Sequence, residues 1–436
     1  MSLLALIANV AVAAYLIAVF AFRKRPVVLR VLTGVYFAWA LFYVAVEGVV
    51  TSHRVHGVDF NQYLVGSAEL LAGRDPYADF AVYKATGKGP VLEILEKYGA
   101  PFTPRITYPP PFYILLTPLF RFPYATSFTI WSGVIVLCAV ATALLACRAF
   151  GLRNRWALLA AVGVTLTSNP TIDNLYQGQA SIVLALLLAV LALCLAKERR
   201  TGAGLAAAGA IILKIYPGVF LLYLALRRRW RELSIAVGLV ALTVVAVAVI
   251  WGPEIWVNFY RYSIKIAFTD SRFKAVNTSP TVMLPLALPP SVPKMPWFIA
   301  SEAAAGVFLL WLFFHLRKPR LEPAAEAAVV IAALMVTNSW VPQHYVAALI
   351  IPYVYLGREA FRGTLGRGPA ILATVSLAVT AFRYDYRALQ FLPYPWTITT
   401  IFKPAALLLF LVAVVWHMRR AGGGRAATAA GTSPIL

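Results

Sequence analysis

Apolar residues along this chain come in long runs that short basic clusters separate. The single runs cover residues 3–22, 28–50, 125–147, 156–167, 180–196, 234–251, 299–316, 370–381 and 402–416. The longest of them have the roughly 20 residues that a helix needs to cross the hydrocarbon core of a bilayer. This pattern predicts an all-α polytopic membrane protein.

Two further stretches are apolar but too short for two full crossings each. Between Arg200 and Arg227 only 26 residues intervene, and Pro217 divides them, so we predict a pair of short helices that meet at 214–217. A second pair, 324–336 and 345–356, is broken at 338–344. Broken backbone at membrane depth is tolerated only where protein buries it or where it lines a wet cavity. With both pairs, we predict 11–13 transmembrane helices.

Composition supports the membrane assignment and argues against the usual partner of a basic chain. Of the 436 residues 61% are hydrophobic and only 13% are charged, which excludes an ordinary soluble domain. The formal charge is +22, but 23 of the 39 Lys and Arg lie in seven short connections between apolar runs. Such connections stay in the cytoplasm by the positive-inside rule. The excess positive charge therefore follows from the membrane topology of the chain, and we expect no nucleic-acid partner.

The resulting topology places two longer segments outside the cell. We predict one integral membrane domain over 1–420, a first outer loop at 51–124, a second outer loop at 252–297, and a flexible cytoplasmic tail at 421–436. No basic residue precedes the first apolar run, so we expect a retained first span with its N-terminus outside. The chain is thus predicted to be a multi-pass cell-membrane protein whose functional groups face the extracytoplasmic side.

The first outer loop contains Asp59, just past the second predicted span. Apolar residues at helical spacing follow it as far as Gly73, a pattern typical of an amphipathic helix that lies on the membrane. Asp59 is then either the N-cap of that helix, a position that favours Asp, or a carboxylate that carries chemistry at the outer interface.

Two more outer segments offer groups suited to a sugar. The prolines at 109–111 force extended backbone, and the apolar run 112–120 is too short to cross, so we expect it to dip into the outer leaflet as a re-entrant helix. Tyr108 could face a ligand there, or the stretch is only a stiff connector. Asn174 and Gln179 supply amides, which both donate and accept hydrogen bonds, although a capping turn explains Asn174 equally well.

Lys214 is a charged residue in apolar surroundings, at the predicted outer end of a short helix. An uncompensated charge inside the bilayer costs about 2.5–3.5 kcal/mol on insertion scales. Such a cation indicates a function by default, and a lipid phosphate is the obvious anionic partner. Snorkelling of the amine to the interface is the alternative.

His344 follows Trp340 and Gln343 in the second broken pair, at the same predicted depth as Lys214. A lone histidine is more often structural than catalytic, so both roles stay open. The second outer loop adds a group of cations that forms either a solvated basic face or a site for phosphate or anionic headgroups. Its members are Arg261, Lys265, Arg272 and Lys274.

Taken in order, these motifs resemble the C-type (GT-C) glycosyltransferases, membrane enzymes whose donor is a polyprenyl-phosphate sugar. More narrowly, the chain resembles glycosyltransferase family 87, which includes polyprenol-phosphate-mannose-dependent mannosyltransferases of phosphatidylinositol mannoside assembly. The markers are Asp59 with Phe60, Gly73 and 75–77, then Tyr108 with 109–111, 178–179, 214–217, and Ser339 with Trp340 and His344. The segment 338–344 departs from the family by being less polar than expected.

The resemblance implies an inverting transfer of a sugar, expected to be mannose, from a polyprenyl-phosphate donor to a membrane lipid or glycolipid at the outer face. Asp59 matches the general base of the family, and His344 would donate to phosphate or sugar. The donor phosphate would be bound by Lys214, Arg261, Lys265, Arg272 and Lys274. Sugar and acceptor would be contacted by Tyr108, Asn174, Gln179, Tyr216, Trp340 and Gln343. No cofactor and no metal are expected, because the outer loops lack a compact set of carboxylates.

A transporter or flippase for a lipid-linked substrate is the alternative function. Such a protein is expected to have repeated halves and ionisable residues near mid-membrane. The chain has no evident internal repeat, and its candidate groups cluster on the outer side. A purely structural membrane subunit would leave Asp59 and Lys214 unexplained. Glucose, arabinofuranose and galactose donors stay open beside mannose.

Overall fold

Helices follow one another along the whole described chain, as the apolar runs predict. The structure, a computed structural model, describes residues 2–22, 25–55, 57–100, 105–264, 273, 277–317, 321–383 and 400–429. Its first helices are α1 (Leu3–Ala21), α2 (Pro26–Tyr43), α3 (Thr51–Val55), α4 (Phe60–Leu71), α5 (Pro76–Thr86), α6 (Pro90–Tyr98), α7 (Pro110–Leu116), α8 (Tyr124–Ala149), α9 (Arg155–Thr167), α10 (Asn169–Gln177) and α11 (Ser181–Ala196).

The second part of the chain continues in the same way. Its helices are α12 (Arg200–Leu213), α13 (Val219–Leu226), α14 (Trp230–Trp251), α15 (Glu254–Phe259), α16 (Met283–Ala287), α17 (Lys294–Leu316), α18 (Pro323–Thr337), α19 (Ile350–Phe361), α20 (Arg367–Ala381) and α21 (Phe402–Ala429). Among the described residues the only β-pairing is an isolated antiparallel bridge between Asn277 and Pro342. The prediction of an all-α polytopic membrane protein is confirmed.

Within the described ranges, five helices are long and apolar enough to cross a membrane, namely Pro26–His53, Tyr124–Ala149, Trp230–Trp251, Lys294–Leu316 and Phe402–Arg420. Shorter apolar helices lie between them, including Arg200–Leu213, Tyr216–Leu226 and Pro323–Thr337. The total of 11–13 crossings includes such short helices and stays a prediction.

Both predicted helix breaks are confirmed. Lys214 ends α12 with extended backbone (φ −149°, ψ 139°), and a 3₁₀ turn at Tyr216–Gly218 leads into α13. Asn338 ends α18, and a 3₁₀ helix at Gln343–Leu349 leads into α19. At the two breaks, backbone groups without helical hydrogen bonds and polar side chains lie inside the helical body. The candidate site is found there.

The core depends on small residues that let helices approach closely. α8 packs against α11, and both present buried alanines, among them Ala139, Ala143, Ala185 and Ala189. Small side chains at helix contacts favour such packing in membranes, where lipid tails compete with larger apolar residues. α18 is almost entirely buried, whereas α14 and α17 leave most of their apolar side chains exposed and present them to lipid.

One predicted helix is present but in another environment. α4 ends before Gly73 as its pattern predicts, yet it does not lie on the surface as an amphipathic helix, because its polar side chains are buried too. The Thr107 hydroxyl donates to Gln62 Oε1 at 2.8 Å, and the Ser67 hydroxyl donates to the Tyr113 carbonyl at 2.7 Å. Spacing of apolar residues could not reveal this, since the partners of these polar groups lie about 45 residues away in sequence.

The C-terminal helix is longer than the sequence pattern indicates. α21 continues to Ala429, through part of the segment 421–436 that we predicted as a flexible tail. Residues 430–436 lie outside the described residues, and the flexibility of the tail stays a prediction.

A buried carboxylate ties the N-terminal helices to the rest of the protein. Glu47 lies in a π-helical segment, Val44–Val50, that continues α2. It accepts hydrogen bonds from the Ser2 hydroxyl at 3.0 Å and the Tyr176 hydroxyl at 2.9 Å, and it pairs with Arg383. Four separate parts of the chain thus meet at one buried charge, which fixes α2 and the loop after it.

The contact of α12 with α14 leads to a test of close packing. A Cβ at Gly204 would lie 2.8 Å from the carbonyl oxygen of Glu232 and 2.8 Å from the Cβ of Ile235, whereas a Cβ at Gly238 would meet no atom within 4 Å. Overpacking of this kind costs about 1–3 kcal/mol. We expect Gly204→Ala to lower the thermal unfolding midpoint in detergent and Gly238→Ala to leave it unchanged or raise it. Equal midpoints for the two variants would contradict the close contact.

Candidate functional site

Two glycine turns bring the first outer loop onto the start of α11. Gly57 and Gly178 have left-handed backbone (φ +54° and +67°), which glycine adopts without strain. A Cβ at Gly178 would lie 2.7 Å from the Cβ of Phe60, so the two turns touch directly. The Asp59 amide donates to the Gln177 carbonyl at 2.9 Å. Asp59 is therefore held against the residues that begin α11.

The Asp59 carboxylate points to α11 instead of capping its own helix. Asp59 occupies the N-cap position of α4, but its side chain makes no capping hydrogen bond, so the N-cap alternative is wrong. Oδ2 accepts a hydrogen bond from Gln179 Nε2 at 2.5 Å. The carboxylate is thereby oriented from outside its own helix while the residue stays half-buried.

Gln179 lies in the turn between α10 and α11, outside the apolar helix, and both ends of its side-chain amide have partners. While Nε2 donates to Asp59, Oε1 accepts from the Tyr108 hydroxyl at 2.5 Å. The Tyr63 hydroxyl, 3.5 Å from the same oxygen, accepts from the Ala180 amide at 2.9 Å. The amide thus orients Asp59 and Tyr108, and its cost of burial is offset by these bonds.

Lys214 is a buried cation that lies among hydroxyl and aromatic groups. It is only 6% exposed, so snorkelling to the interface does not occur. Nζ donates to Ser181 Oγ at 2.9 Å and lies 3.6 Å from the ring centroid of Tyr345 and 4.8 Å from that of Tyr108. Among the described side chains no carboxylate lies within the 4 Å of an ion pair with Lys214.

Tyr216, two residues beyond Lys214, belongs to the same aromatic group. Its ring stacks on Tyr345 with centroids 5.5 Å apart and planes 21° apart. Its hydroxyl oxygen is buried and makes no hydrogen bond within the described part of the chain. Because buried hydroxyls are normally hydrogen-bonded, this hydroxyl is a candidate contact for a polar ligand.

His344 is oriented by a carboxylate that the sequence analysis did not single out. His344 Nδ1 lies 3.0 Å from Asp173 Oδ2, which leaves Nε2 for another partner. Asn174 donates to the His344 carbonyl at 3.0 Å and to the Pro170 carbonyl at 2.8 Å, and it accepts from the Ile182 amide at 3.1 Å. The Asn174 amide is fully engaged, so it fixes the position of His344 instead of lining open space.

The second outer loop holds the broken segment that precedes His344. Asn277 accepts from the Val341 amide at 2.9 Å and donates to the Ser339 carbonyl at 2.9 Å. The Thr278 amide adds a hydrogen bond to the Val341 carbonyl at 2.8 Å. This loop therefore has a positioning role that its basic residues did not indicate.

The surroundings of Asp59 change its acidity. Burial raises the pKa of the Asp59 carboxyl above its ordinary value of 3.8, and the charge of His344 and the hydrogen bond from Gln179 act in the opposite direction. Asp173 raises the pKa further, and Lys214 lowers it. Contacts connect the same groups: Tyr108 packs on Lys214 and donates to Gln179, which donates to Asp59. The Tyr345 ring contacts both Lys214 and His344, so the predicted base, lysine and histidine lie in one connected group.

Lys403 at the start of α21 is a second cation that sequence analysis missed. It is buried, and its Nζ donates to Gln343 Oε1 at 3.1 Å, which Asn169 also contacts. In the sequence, a lysine at the edge of an apolar run reads as an ordinary interfacial residue. Gln343 is therefore connected to α21 and α10, and Nε2 of its amide is buried without a partner among the described residues.

Other predicted site residues lie apart or beyond the described part. Arg261 is exposed on a π-helical turn, Tyr260–Ile264, with its guanidinium 5.9 Å from the Tyr262 ring centroid. Trp340 is half-buried, and its amide donates to the Asn338 side chain at 3.2 Å. The remaining cations of the second outer loop lie outside the described residues, namely Lys265, Arg272 and Lys274.

Metal ligands do not converge within the described ranges, where no group of three or more His, Cys, Asp or Glu side chains is placed to hold an ion. Independence from metals and cofactors stays a prediction. The chemistry at hand consists of a carboxylate, an oriented imidazole, a buried ammonium and aromatic hydroxyls.

Comparison with known proteins gives concordant matches. The sequence model of glycosyltransferase family 87 matches residues 106–339. The polyprenol-phosphate-mannose-dependent alpha-(1-2)-phosphatidylinositol mannoside mannosyltransferase of Mycobacterium tuberculosis is 28% identical over 242 residues, which cover 52% of this chain and 50% of that protein. The protein of the same name from Mycolicibacterium smegmatis is 32% identical over 186 residues, 39% of each chain. The chain thus spans about half the length, or less, of the curated relatives it matches.

Proposed function

This chain belongs to glycosyltransferase family 87, as its motifs indicate, and we propose that it transfers mannose from a polyprenyl-phosphate donor to a membrane lipid or glycolipid at the outer face. Both relatives carry names that specify a polyprenol-phosphate-mannose donor and a phosphatidylinositol mannoside acceptor. Mannose and a lipid-linked acceptor are taken from those names. The assignment of residues rests on the geometry of the site.

The observation that carries the proposal is the buried Lys214 without a carboxylate partner, on the same site as Asp59. A buried ammonium is costly unless an anion neutralises it. The lysine has a hydroxyl and two aromatic rings around it, which leaves the countercharge to a ligand. A lipid phosphate supplies that charge, and its polyprenyl chain would remain in the bilayer.

The reaction is a single displacement that needs a base at one end and an anion stabiliser at the other. Asp59 takes the proton from an acceptor hydroxyl while that oxygen attacks the anomeric carbon of the sugar. The bond from this carbon to the phosphate oxygen breaks, and the electron pair leaves with the polyprenyl phosphate. Lys214 stabilises the charge that develops on the phosphate, and attack from the opposite face inverts the anomeric configuration.

The remaining groups position the substrates. His344, oriented by Asp173, can donate from Nε2 to the phosphate or the sugar. The hydroxyl of Tyr216 is available to a sugar hydroxyl, because it has no partner within the described residues. Tyr108 packs against Lys214 through its ring and orients Gln179 through its hydroxyl, so it links the two ends of the reaction.

The first test is transfer of radiolabelled mannose from synthetic polyprenyl-phosphate mannose into a membrane lipid extract by the purified full-length protein. General bases contribute about 10²–10⁴-fold to rate, so we expect Asp59→Asn to lower the initial rate by at least about 10²-fold. Asp79→Asn is the matched control, since Asp79 lies on α5 and contacts Arg74 instead of the site. It should retain most of the wild-type rate.

Two results would contradict the proposal. Wild-type rates in Asp59→Asn would remove Asp59 as the base. No transfer from mannose or any other polyprenyl-phosphate sugar, by a protein with a normal unfolding transition, would favour the lipid transporter or flippase instead.

The variant Lys214→Met distinguishes a functional role of the Lys214 side chain from a structural one. Replacing an unpaired buried charge by an apolar side chain of similar length removes the cost of its desolvation, whereas removing one partner of a buried ion pair destabilises a fold. We expect Lys214→Met to keep or raise the thermal unfolding midpoint and to lower the transfer rate by about 10²–10³-fold. Lys97→Met, which removes an exposed lysine, should change neither quantity. A large fall in the midpoint of Lys214→Met would indicate a structural role.

The pH dependence of transfer tests the Asp59–Gln179 hydrogen bond. Asp59 acts as a base only when ionised, so the rate should fall as pH decreases through its pKa, at a pH above 3.8 because burial raises that pKa. Gln179→Met removes a donor that stabilises the ionised form, and the acid limb of the profile should move to higher pH. Gln62→Met, whose native partner is Thr107, is the control. An acid limb at the same pH in both variants would contradict the assignment.

A further inference from the structure

A large basic cavity lies at the end of α14 that is remote from the candidate site. Its volume is about 740 Å³. The cavity lies between the first turn of α14 and the last turn of α17, and the end of α13 lines its base. The polar and aromatic groups that line it are Arg227, Arg228, Trp230, Phe314, His315 and Arg317. No carboxylate is among its lining residues.

The cavity lies at the start of α14, at the end away from the contact of this helix with α4. α14 begins at Trp230 in the cavity and ends at Trp251, whose indole donates to the Leu70 carbonyl of α4 at 2.9 Å. Its 22 residues span roughly 33 Å at 1.5 Å per residue, about the thickness of the hydrocarbon core. None of the residues that line the cavity belongs to the group around Asp59, so the cavity is separate from the candidate site.

The positive charge of the cavity is only partly neutralised by the protein. Arg227 pairs with buried Glu326, with Nε 2.9 Å from Oε2. Arg228 and Arg317 are exposed, and neither forms an ion pair with another described residue. Arg317 instead lies over the Phe314 ring, 5.8 Å from its centroid. Two guanidinium groups are thus open to an anionic ligand.

The backbone at Arg228 supports a role for its side chain. Arg228 has φ +54° in the turn between α13 and α14, a conformation that glycine adopts more easily than any residue with a Cβ. An arginine in this position carries a conformational cost that a glycine would avoid. Arg228 therefore keeps its guanidinium at the cavity, although a glycine would adopt the backbone conformation of this turn with less strain.

The walls of the cavity identify a lipid as the occupant. α14 and α17 expose most of their apolar surface, including Leu242, Val249, Val307 and Leu310. Trp230 is 60% exposed and Phe314 66% exposed, at the level where aromatic side chains meet lipid headgroups. These exposed apolar surfaces begin at the cavity and offer acyl chains a place to lie. A free anion would contact only the arginines and would leave these apolar surfaces uncovered.

We propose that this cavity binds an anionic phospholipid, with the phosphate between Arg228 and Arg317 and the acyl chains along α14 and α17. Guanidinium groups form paired, charge-assisted hydrogen bonds with phosphate oxygens. Basic pockets between membrane helices are suited to such headgroups. The site is separate from substrate binding, and it holds α14 and α17 together on α13, away from the candidate site.

The test is lipid retention by the purified full-length protein, measured by native mass spectrometry after exchange into phosphatidylglycerol or phosphatidylcholine. Wild type should retain phosphatidylglycerol at least about tenfold more tightly than phosphatidylcholine, because both headgroups contain a phosphate but the choline of phosphatidylcholine carries a positive charge that the two guanidinium groups repel. The double variant Arg228→Ala with Arg317→Ala should lose that preference. Arg153→Ala with Arg367→Ala removes two exposed arginines outside the cavity and should keep it.

Three outcomes would overturn the proposal. Retention of phosphatidylglycerol by the Arg228/Arg317 double variant would show that the cavity does not bind it. An equal loss in the Arg153/Arg367 control would indicate a general effect of charge. Displacement of the lipid by millimolar glycerol phosphate would indicate a site for a free anion. If the alanine pair fails to fold, Arg228→Gln with Arg317→Gln provides the same test with a smaller change in packing.

Discussion

The hydrogen bonds of Gln179 are the interaction on which the site depends. Its amide joins Asp59 and Tyr108, which lie 120 and 71 residues away along the chain. A buried amide costs free energy unless both ends are bonded, so the position of the turn before α11 and the orientation of the carboxylate stabilise each other. The polar site is therefore part of the helical core and not an addition to its surface.

The sequence predicted those site residues that stand out from an apolar background. Gln179 and Lys214 were found because a polar group at or within an apolar run costs free energy unless it has a partner. The short distance between basic clusters predicted the helix break at Lys214. Asp173 was missed because it lies in a polar segment that reads as a turn or cap, and Ser181 because a single serine at the edge of an apolar run gives no signal of its own. Their roles come from partners 33 and 171 residues away, which local patterns do not contain.

The environment of whole elements was harder to predict than their existence. α4 was found at the expected place, but its interpretation as a surface helix was wrong because Gln62 and Ser67 have partners in the segment before and within α7. The second outer loop was interpreted from its cations, whereas in the structure Asn277 and Thr278 hold the segment that precedes His344. In both cases side-chain to backbone hydrogen bonds across long sequence separations decide what the segment does.

The contact between the glycine turns at Gly57 and Gly178 has a consequence for biosynthesis. A membrane chain emerges from its N-terminus, so the loop that carries Asp59 leaves the ribosome some 120 residues before Gln179. His344 and its bond to Asp173 follow much later still. Until α11 and the second broken helix pair are inserted, Asp59 has neither its hydrogen-bond donor nor its neighbouring cations. A nascent chain therefore displays an ordinary aspartate, and the hydrogen-bonded surroundings of Asp59 arise only once the chain has been made as far as His344.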